Sequence, residues 1–234
     1  SGSSTKKIPT PLPMSTKKTI LTKNQQALLD VISENKDITK TFYLGGGTAL
    51  AEYYLKHRLS EDLDFFTDTE FDPIIISTFL KSIKKTLKIK KIDFQQSFNR
   101  NLFFITIEKE TIKTEFTYYP FPRIEKGEKV KNLKIDSLLD IAVNKVFTIY
   151  QKPRSRDFID LYLIMKKKKW SLHSLTKKAR IKFDYHIDLL QLGTQLVKVT
   201  EVKDYPHMLT KLSPKTWQDF FMQEAKKLEK DILE

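Results

Sequence analysis

The pattern of hydrophobic and polar residues divides this chain into a mixed first half and a helical second half. Apolar residues recur every three or four positions in residues 23–36, and four of them share one face of a predicted helix: Ala27, Leu28, Val31 and Ile32. Residues 88–119 instead alternate apolar and polar side chains in three short runs, separated by turn-forming residues. That alternation predicts three strands of an antiparallel meander.

Helical spacing returns near residue 135 and continues to the end of the sequence. It predicts helices at 136–151, 155–167 and about 172–198, and a last helix that opens with Ser213 and Pro214. These elements predict an α/β (α+β) fold, in which a mixed or antiparallel sheet precedes a mostly helical C-terminal region. We divide the chain into a flexible leader with a cloning scar (1–20), a core (21–130) and a helical domain (131–234).

One segment of the first half combines a glycine turn with paired carboxylates. Residues 41–44 predict a short strand that ends at three consecutive glycines, 45–47, and Thr48 is predicted to cap the next helix. The sequence "DLDFF" then predicts a return to strand. Asp72, as N-cap, and Pro73, in the first turn, predict the start of a further helix.

The composition is typical of a soluble globular protein. Hydrophobic residues make up 40% of the 234 residues, and no apolar run approaches the ~18 residues that a membrane-spanning helix needs. The chain has no cysteine, which excludes disulfides and thiolate metal sites, and its N-terminus lacks the apolar block of a secretion signal. We therefore expect a cytoplasmic protein that makes no membrane contact.

The charge favours a polyanionic partner such as RNA or DNA. Lys and Arg number 42 against 29 Asp and Glu, which gives a net charge of +13. The lysines are scattered through runs such as "KSIKKTLKIKK" and "MKKKKW" rather than arranged with aromatic residues in a recognisable motif. Each run by itself is more typical of a solvated face, so charge alone does not identify the partner.

Asp62 and Asp64 form the first candidate site. On a strand, residues two apart point to the same face, so the two carboxylates repel each other unless a cation lies between them. A divalent metal ion is the simplest such cation, although an isolated D-x-D is more often two hydrated aspartates. A third ligand could come from the meander, where Glu115 is the candidate and Glu108 and Asp93 are competitors.

The glycine turn is a candidate phosphate site. Glycines between a strand and a helix let the backbone approach a ligand closely, and a helix N-terminus favours phosphate. The sequence matches neither the Walker loop nor the dinucleotide motif G-x-G-x-x-G, and a glycine turn alone is most often only a turn.

The third candidate is a lysine on a buried helix face. In the helix predicted at 136–151, Lys145 falls in the same stripe as Leu138, Ala142 and Ile149. A buried ammonium needs an anion or must reach solvent. Lys145 therefore either has a structural role, in which it reaches solvent or forms an internal ion pair, or binds phosphates, with neither role favoured. Asp157 and Asp160 lie one turn apart on the next, nearly all-apolar helix, where they could face Lys145, Arg154 or a substrate group.

The histidines give no sign of a zinc site. His57, His173, His186 and His207 include no pair four residues apart with a carboxylate between them, and the sequence contains no G-x-S-x-G nucleophile motif.

Two blocks of sequence together resemble one known family. "GGTALAEYYLKHRLSEDLDFF" and, later, "DIAVNKVFTIYQKPRSRDFIDLYLI" resemble the AbiEii/AbiGii toxins, which are nucleotidyltransferases of the DNA-polymerase-β-like superfamily that also includes the MenT toxins. The superfamily pattern is G-[G/S], a helix, and then D-x-[D/E] on a strand. The resemblance covers about residues 43–166, and no motif matches beyond it.

The resemblance implies a nucleotidyltransferase core and a role for each candidate residue. It implies Mg²⁺ (or Mn²⁺) on Asp62 and Asp64, with Glu115 as the candidate third ligand. It also implies a triphosphate seated by Gly46 and Gly47, beside which we place the hydroxyls of Thr48 and Ser60. The predicted site is completed by Lys145 with Asp157 or Asp160.

The resemblance also implies an activity. We expect metal-dependent transfer of a nucleotide from an NTP to RNA, with tRNA favoured as the acceptor because MenT-like members modify tRNA ends. Such enzymes are toxins of type IV toxin–antitoxin or phage-defence pairs, so a cognate antitoxin is a possible partner. Two alternatives stay open: a catalytically silent protein of the same fold that binds nucleic acid or a partner, and a nucleotidyltransferase that modifies a protein hydroxyl.

Overall fold

A computed structural model describes the backbone of residues 19–233 and the side chains of residues 19–228. Nearly all of the predicted leader, 1–20, lies outside these residues. Its last residue, Ile20, is buried in the hydrophobic core. No helix of the described part of the chain is long and apolar enough to cross a membrane.

A seven-stranded mixed sheet forms the centre of the first half, in the order β3-β4-β5-β2-β1-β7-β6. Its strands are β1 (Tyr43–Gly45), β2 (Leu63–Thr67), β3 (Ile89–Ser97), β4 (Arg100–Ile107), β5 (Glu110–Tyr118), β6 (Lys129–Val130) and β7 (Leu133–Ile135). The predicted meander is confirmed as β3, β4 and β5, whereas β6 and β7 were not predicted. Since β7 pairs with β1, the sheet extends past residue 130, and the division into domains stays a prediction.

Helices alternate with the strands along the first half of the described chain and follow one another after β7. They are α1 (Lys23–Glu34), α2 (Lys36–Thr41), α3 (Gly46–Ala49), α4 (Ile74–Ser82), α5 (Leu138–Gln151), α6 (Ser155–Lys168), α7 (Leu172–Phe183), α8 (Leu189–Val197) and α9 (Pro214–Leu233). The prediction of a single helix at about 172–198 is wrong, because this segment forms two helices, α7 and α8. Asp184 adopts a left-handed conformation (φ 45°) that ends α7, and Asp188 caps α8 by accepting a hydrogen bond from the Gln191 amide.

The helix after β1 begins earlier than predicted. It starts at Gly46 with Gly45 in the N-cap position, so Thr48 lies inside the helix and its prediction as the cap is wrong. The helix continues as a π-helical segment, Leu50–Leu55, and ends where Lys56 becomes left-handed. At α4, Pro73 rather than Asp72 occupies the cap position, although Asp72 still accepts a hydrogen bond from the amide of Ile74.

One hydrophobic core runs through the sheet and the helices. Phe65 of β2 and Phe116 of β5 stack with ring centroids 4.9 Å apart. Phe221 of α9 packs against Phe158 of α6, with centroids 5.0 Å apart. These contacts fix both β2 and α6, the two elements that carry the predicted aspartates.

Candidate active site

Strand pairing brings the candidate carboxylates together. β2 and β5 are parallel neighbours, and their register pairs Asp64 with Glu115. Burial, together with the charges of Glu115 and Asp62, raises the pKa of Asp64 to about 6. Within residues 19–228 no hydrogen bond reaches the Asp64 carboxylate, so its negative charge is compensated only by more distant cations such as Lys113 and Lys145.

The two neighbouring carboxylates have direct partners. Lys113 Nζ lies 2.7 Å from Asp62 Oδ2. Arg100 donates two hydrogen bonds to Glu115, of 2.7 Å from Nε and 2.6 Å from Nη2. Burial alone would raise the pKa of Glu115, but Arg100 and the hydroxyl of Thr117 outweigh burial and lower it. Glu115 therefore lies beside Asp64 but is engaged by Arg100, and its role as a metal ligand stays a prediction.

The donor chemistry of Asp62 and Asp64 fits a divalent cation. In the described part of the chain no group of three His, Asp or Glu side chains has the arrangement of a complete metal site. Mg²⁺ does not need one, since it commonly binds one or two carboxylates together with substrate phosphates and water. A cation at Asp64 would offset the burial of this carboxylate and the repulsion from Glu115 and Asp62, which together raise its pKa.

Glycine is required at two positions beside these carboxylates. Gly46 has a φ of +65°, and a Cβ atom there would lie 2.6 Å from Asp64 Oδ2. A Cβ atom on Gly47 would lie 2.5 Å from Nη2 of Arg58. Because Gly46 and Gly47 have no side chains, Asp64 and Arg58 can contact the backbone of the turn directly. A larger residue at either position would prevent that contact.

Lys145 forms an internal ion pair with both aspartates of α6. Its Nζ lies 2.7 Å from Asp157 Oδ1 and 2.8 Å from Asp160 Oδ2. Burial lowers the pKa of Lys145, but the two carboxylates outweigh burial and raise it, so Lys145 stays charged. The ion pair is one of the two alternatives that the sequence left open, and contact with phosphates stays a prediction.

Asp160 is the centre of a buried polar network. Besides Lys145, it accepts hydrogen bonds of 2.8 Å from both Nε and Nη2 of Arg58 and lies 2.7 Å from His57 Nε2. Burial alone would raise its pKa, but Lys145 and Arg58 hold the pKa well below its usual range. Because Arg58 also packs against Gly47, it connects the glycine turn to α6.

A cleft of about 580 Å³ unites most of the predicted residues. The predicted residues that line the cleft are Gly46, Gly47, Ser60, Asp62, Asp64, Lys145 and Asp157. Three predicted residues do not line the cleft: Thr48, Glu115 and Asp160. Thr48 is fully buried and holds the adjoining loop, with its hydroxyl 2.7 Å from that of Ser60 and hydrogen-bonded to the Asp62 carbonyl. Thr48 and Asp160 thus position the residues that line the cleft.

The sequence did not predict one wall of the cleft. This wall includes Arg154, Arg156 and the segment 204–207 of the C-terminal region. Asp204 accepts a 2.8 Å hydrogen bond from the Ser155 amide at the start of α6, and the Leu59 amide donates to the His207 carbonyl at 2.9 Å. Arg58 was also missed, since it lies in a polar segment without periodicity and its partner is 102 residues away.

Comparisons with known proteins show the family and the fold of the chain. A family model described as the nucleotidyl transferase AbiEii toxin of type IV toxin–antitoxin systems matches residues 28–229. The uncharacterized protein aq_aa25 of Aquifex aeolicus (strain VF5) is 34% identical over 184 residues, which are 77% of this chain and 83% of that protein.

Two crystal structures from Helicobacter pylori show the same fold. One is a provisionally assigned nucleotidyltransferase, which is 18% identical with a TM-score of 0.58 over 90% of this chain and 96% of its own. The other is JHP933, also 18% identical with a TM-score of 0.58, over 89% and 90% of the two chains. The predicted α/β nucleotidyltransferase fold is confirmed. The chain is a nucleotidyltransferase that belongs to the AbiEii toxin family of type IV toxin–antitoxin systems.

Proposed function

We propose that this nucleotidyltransferase transfers a nucleotide from an NTP to RNA, with tRNA as the favoured acceptor, in a reaction that depends on Mg²⁺ (or Mn²⁺). The observation that carries the proposal is the placement of Asp62 and Asp64 in one cleft with Gly46, Gly47 and Lys145. Carboxylates suit a metal ion, and a glycine turn beside a fixed ammonium suits a triphosphate.

Each residue of the cleft has a task in this reaction. Asp62 and Asp64 would hold the metal ion, which when bound offsets charge on the phosphates and activates the acceptor hydroxyl. Lys145 offsets phosphate charge, and Asp157 and Asp160 keep it charged and in place. The acceptor oxygen forms a bond to the α-phosphorus as the bond from that phosphorus to the bridging oxygen breaks. The hydroxyl releases its proton to solvent, and pyrophosphate leaves with the electron pair of the broken bond.

Charge supports RNA as the acceptor. The net charge of +13 attracts a polyanion, and Arg154 and Arg156 add two guanidinium groups to the lining of the cleft. Membership of a toxin–antitoxin family implies a cognate antitoxin as the partner. We propose that the enzyme acts in the cytoplasm as the toxin of such a pair, which could serve in phage defence.

The test is transfer of label from each α-labelled NTP to tRNA, to total RNA and to protein extract, with Mg²⁺, Mn²⁺ or EDTA. We expect label on RNA that is lost with EDTA and in the variant Asp62→Asn, Asp64→Asn. Asp68→Asn changes an exposed aspartate just beyond β2 and is the matched control, which should retain transfer. Label on protein instead of RNA would overturn the proposal that RNA is the acceptor. Full transfer by the double variant would overturn the assignment of Asp62 and Asp64 to the active site.

A further inference from the structure

The cleft has a charged end and an apolar end. At the charged end lie the glycine turn, the two aspartates of the D-x-D and Lys145. The apolar end is lined by Phe66, Tyr119 and Ile141, with the amide of Asn144 among them. Asp64 and Phe66 are two residues apart on β2 and share one face, so the strand leads directly from one end to the other.

Helix α5 lines the cleft along the same direction. Four of its residues face the cleft at a spacing of one and two turns: Ile141, Asn144, Lys145 and Thr148. Asn144 is thus the immediate neighbour of the lysine that we assign to the phosphates. A ligand with phosphates at Lys145 would extend toward Asn144 and the aromatic rings.

Two contacts orient the Asn144 amide. Its Nδ2 lies 3.5 Å from Asp136 Oδ2, and the Tyr119 hydroxyl donates to its Oδ1 at 3.4 Å. An asparagine amide has two N–H donors and an oxygen with two lone pairs. Among the described residues each of these atoms has one partner on the protein, so one donor and one acceptor remain for a ligand.

We infer that Asn144 binds the hydrogen-bonding edge of the nucleobase of the NTP, while Phe66 and Tyr119 form the apolar surface against which the base packs. The inference rests on the proposed function, because it assumes that the triphosphate occupies the charged end. A nucleobase combines a flat apolar face with adjacent donors and acceptors at its edge, and asparagine is suited to bind such an edge through two hydrogen bonds. Asn144 is then a residue that determines nucleotide specificity.

The test is equilibrium binding of the four NTPs and of ribose 5-triphosphate, which lacks a base. The proteins are the full chain, Asn144→Ala, Asn144→Asp and the control Asn99→Ala, which removes an exposed amide in the β3–β4 turn. We expect Asn144→Ala to weaken binding of the preferred NTP by about 2- to 10-fold, the effect of losing one or two hydrogen bonds. Binding of ribose 5-triphosphate should not change. Asn144→Asp replaces a donor by an acceptor and should alter the order of preference among the four NTPs.

Three results would overturn the inference in distinguishable ways. Unchanged NTP affinities in both Asn144 variants would remove Asn144 from the base site but leave the proposed function intact. An equal loss for the NTPs and for ribose 5-triphosphate would show that Asn144 acts on the phosphate end or on folding. Failure of the wild-type protein to bind either class of ligand would reject the proposed function itself.

Discussion

At the scale of single residues, Asp136 couples protonation to stability. It follows β7, is 1% exposed, and accepts a hydrogen bond from the Ser137 amide at 3.2 Å. Burial raises its pKa to about 7, with a further contribution from Asp140 and against the opposing charge of Lys182. Between about pH 4 and pH 7 the folded protein keeps this proton whereas the unfolded chain releases it, so stability falls as the pH rises through this range.

We therefore expect Asp136→Asn to be more stable than the wild type at pH 8, because the cost of ionising a buried carboxyl is removed. A pKa raised from its ordinary value of 3.8 to about 7 corresponds to at most about 4 kcal/mol, and the gain should shrink toward zero near pH 4. Urea unfolding of both proteins at pH 4.5, 6 and 8 measures this difference in the free energy of unfolding. A stability difference that does not change with pH would contradict the assignment.

Lys145 shows how a residue of a site can also hold the fold together. Replacing it by Met leaves the buried Asp160 with one cation fewer, and breaking a buried ion pair costs about 3–5 kcal/mol. We expect Lys145→Met to lose about 3 kcal/mol in urea unfolding. Lys215→Met, which removes an exposed ion pair with Asp219, should cost less than 1 kcal/mol.

A double-mutant cycle separates this coupling from loss of packing. The combination of Lys145→Met with Asp160→Asn should be less destabilising than the sum of the single changes by about 1–3 kcal/mol. Strict additivity would mean that the pair between Lys145 and Asp160 contributes nothing to stability.

At the scale of elements, the sequence predicted helices and strands that are long enough to show a repeat of hydrophobic residues, and it missed short strands and a break between helices. The meander and helices α5 and α6 contain enough residues to show a repeat of 2 or 3.6, and each is present near its predicted position. Strands β6 and β7 have only two and three residues, so no alternation can be seen in them. The break between α7 and α8 depends on one left-handed residue, Asp184, which is not glycine and so gave no signal.

The start of α6 depends on a residue from a distant segment. Arg154, in the cap position, makes no capping hydrogen bond with its own side chain, and Asp204 accepts one from the Ser155 amide instead. We expect Asp204→Ala to cost about 1 kcal/mol, as loss of a cap does. Hydrogen exchange should accelerate at residues 155–158 and 204–209, while Asp204→Asn keeps most of the protection. Faster exchange confined to 204–209 would show that Asp204 does not stabilise α6.

At the scale of the whole molecule, the sequence predicted residues of the site but not how the cleft is closed. The glycine turn, the D-x-D and Lys145 could each be found locally, since each breaks the pattern of its own element. The wall that includes the segment 204–207 depends on contacts such as that between Leu59 and His207, which lie almost 150 residues apart. The resemblance ended near residue 166, so no motif marked the segment 204–207 as part of the cleft.

The overall charge leads to a last prediction, which concerns how the molecule binds RNA. Neutralising phosphates with Lys and Arg releases counterions, so the affinity for tRNA should fall steeply between 50 and 200 mM salt. Arg156 lines the cleft, and Arg156→Ala should reduce the slope of log Kd against log salt concentration by about 1.

Lys109→Ala is the matched control for this prediction. Lys109 is exposed in the turn between β4 and β5, at the opposite end of these strands from Arg100 and the β3–β4 turn. If RNA lies along the cleft, Lys109→Ala should leave the slope unchanged. Asn99→Ala, which removes no charge, should also leave it unchanged. Fluorescence anisotropy of labelled tRNA measures all four proteins. Equal slopes for the wild type, Arg156→Ala and Lys109→Ala would show that RNA binds to another surface. An affinity independent of salt would contradict an RNA acceptor held by charge.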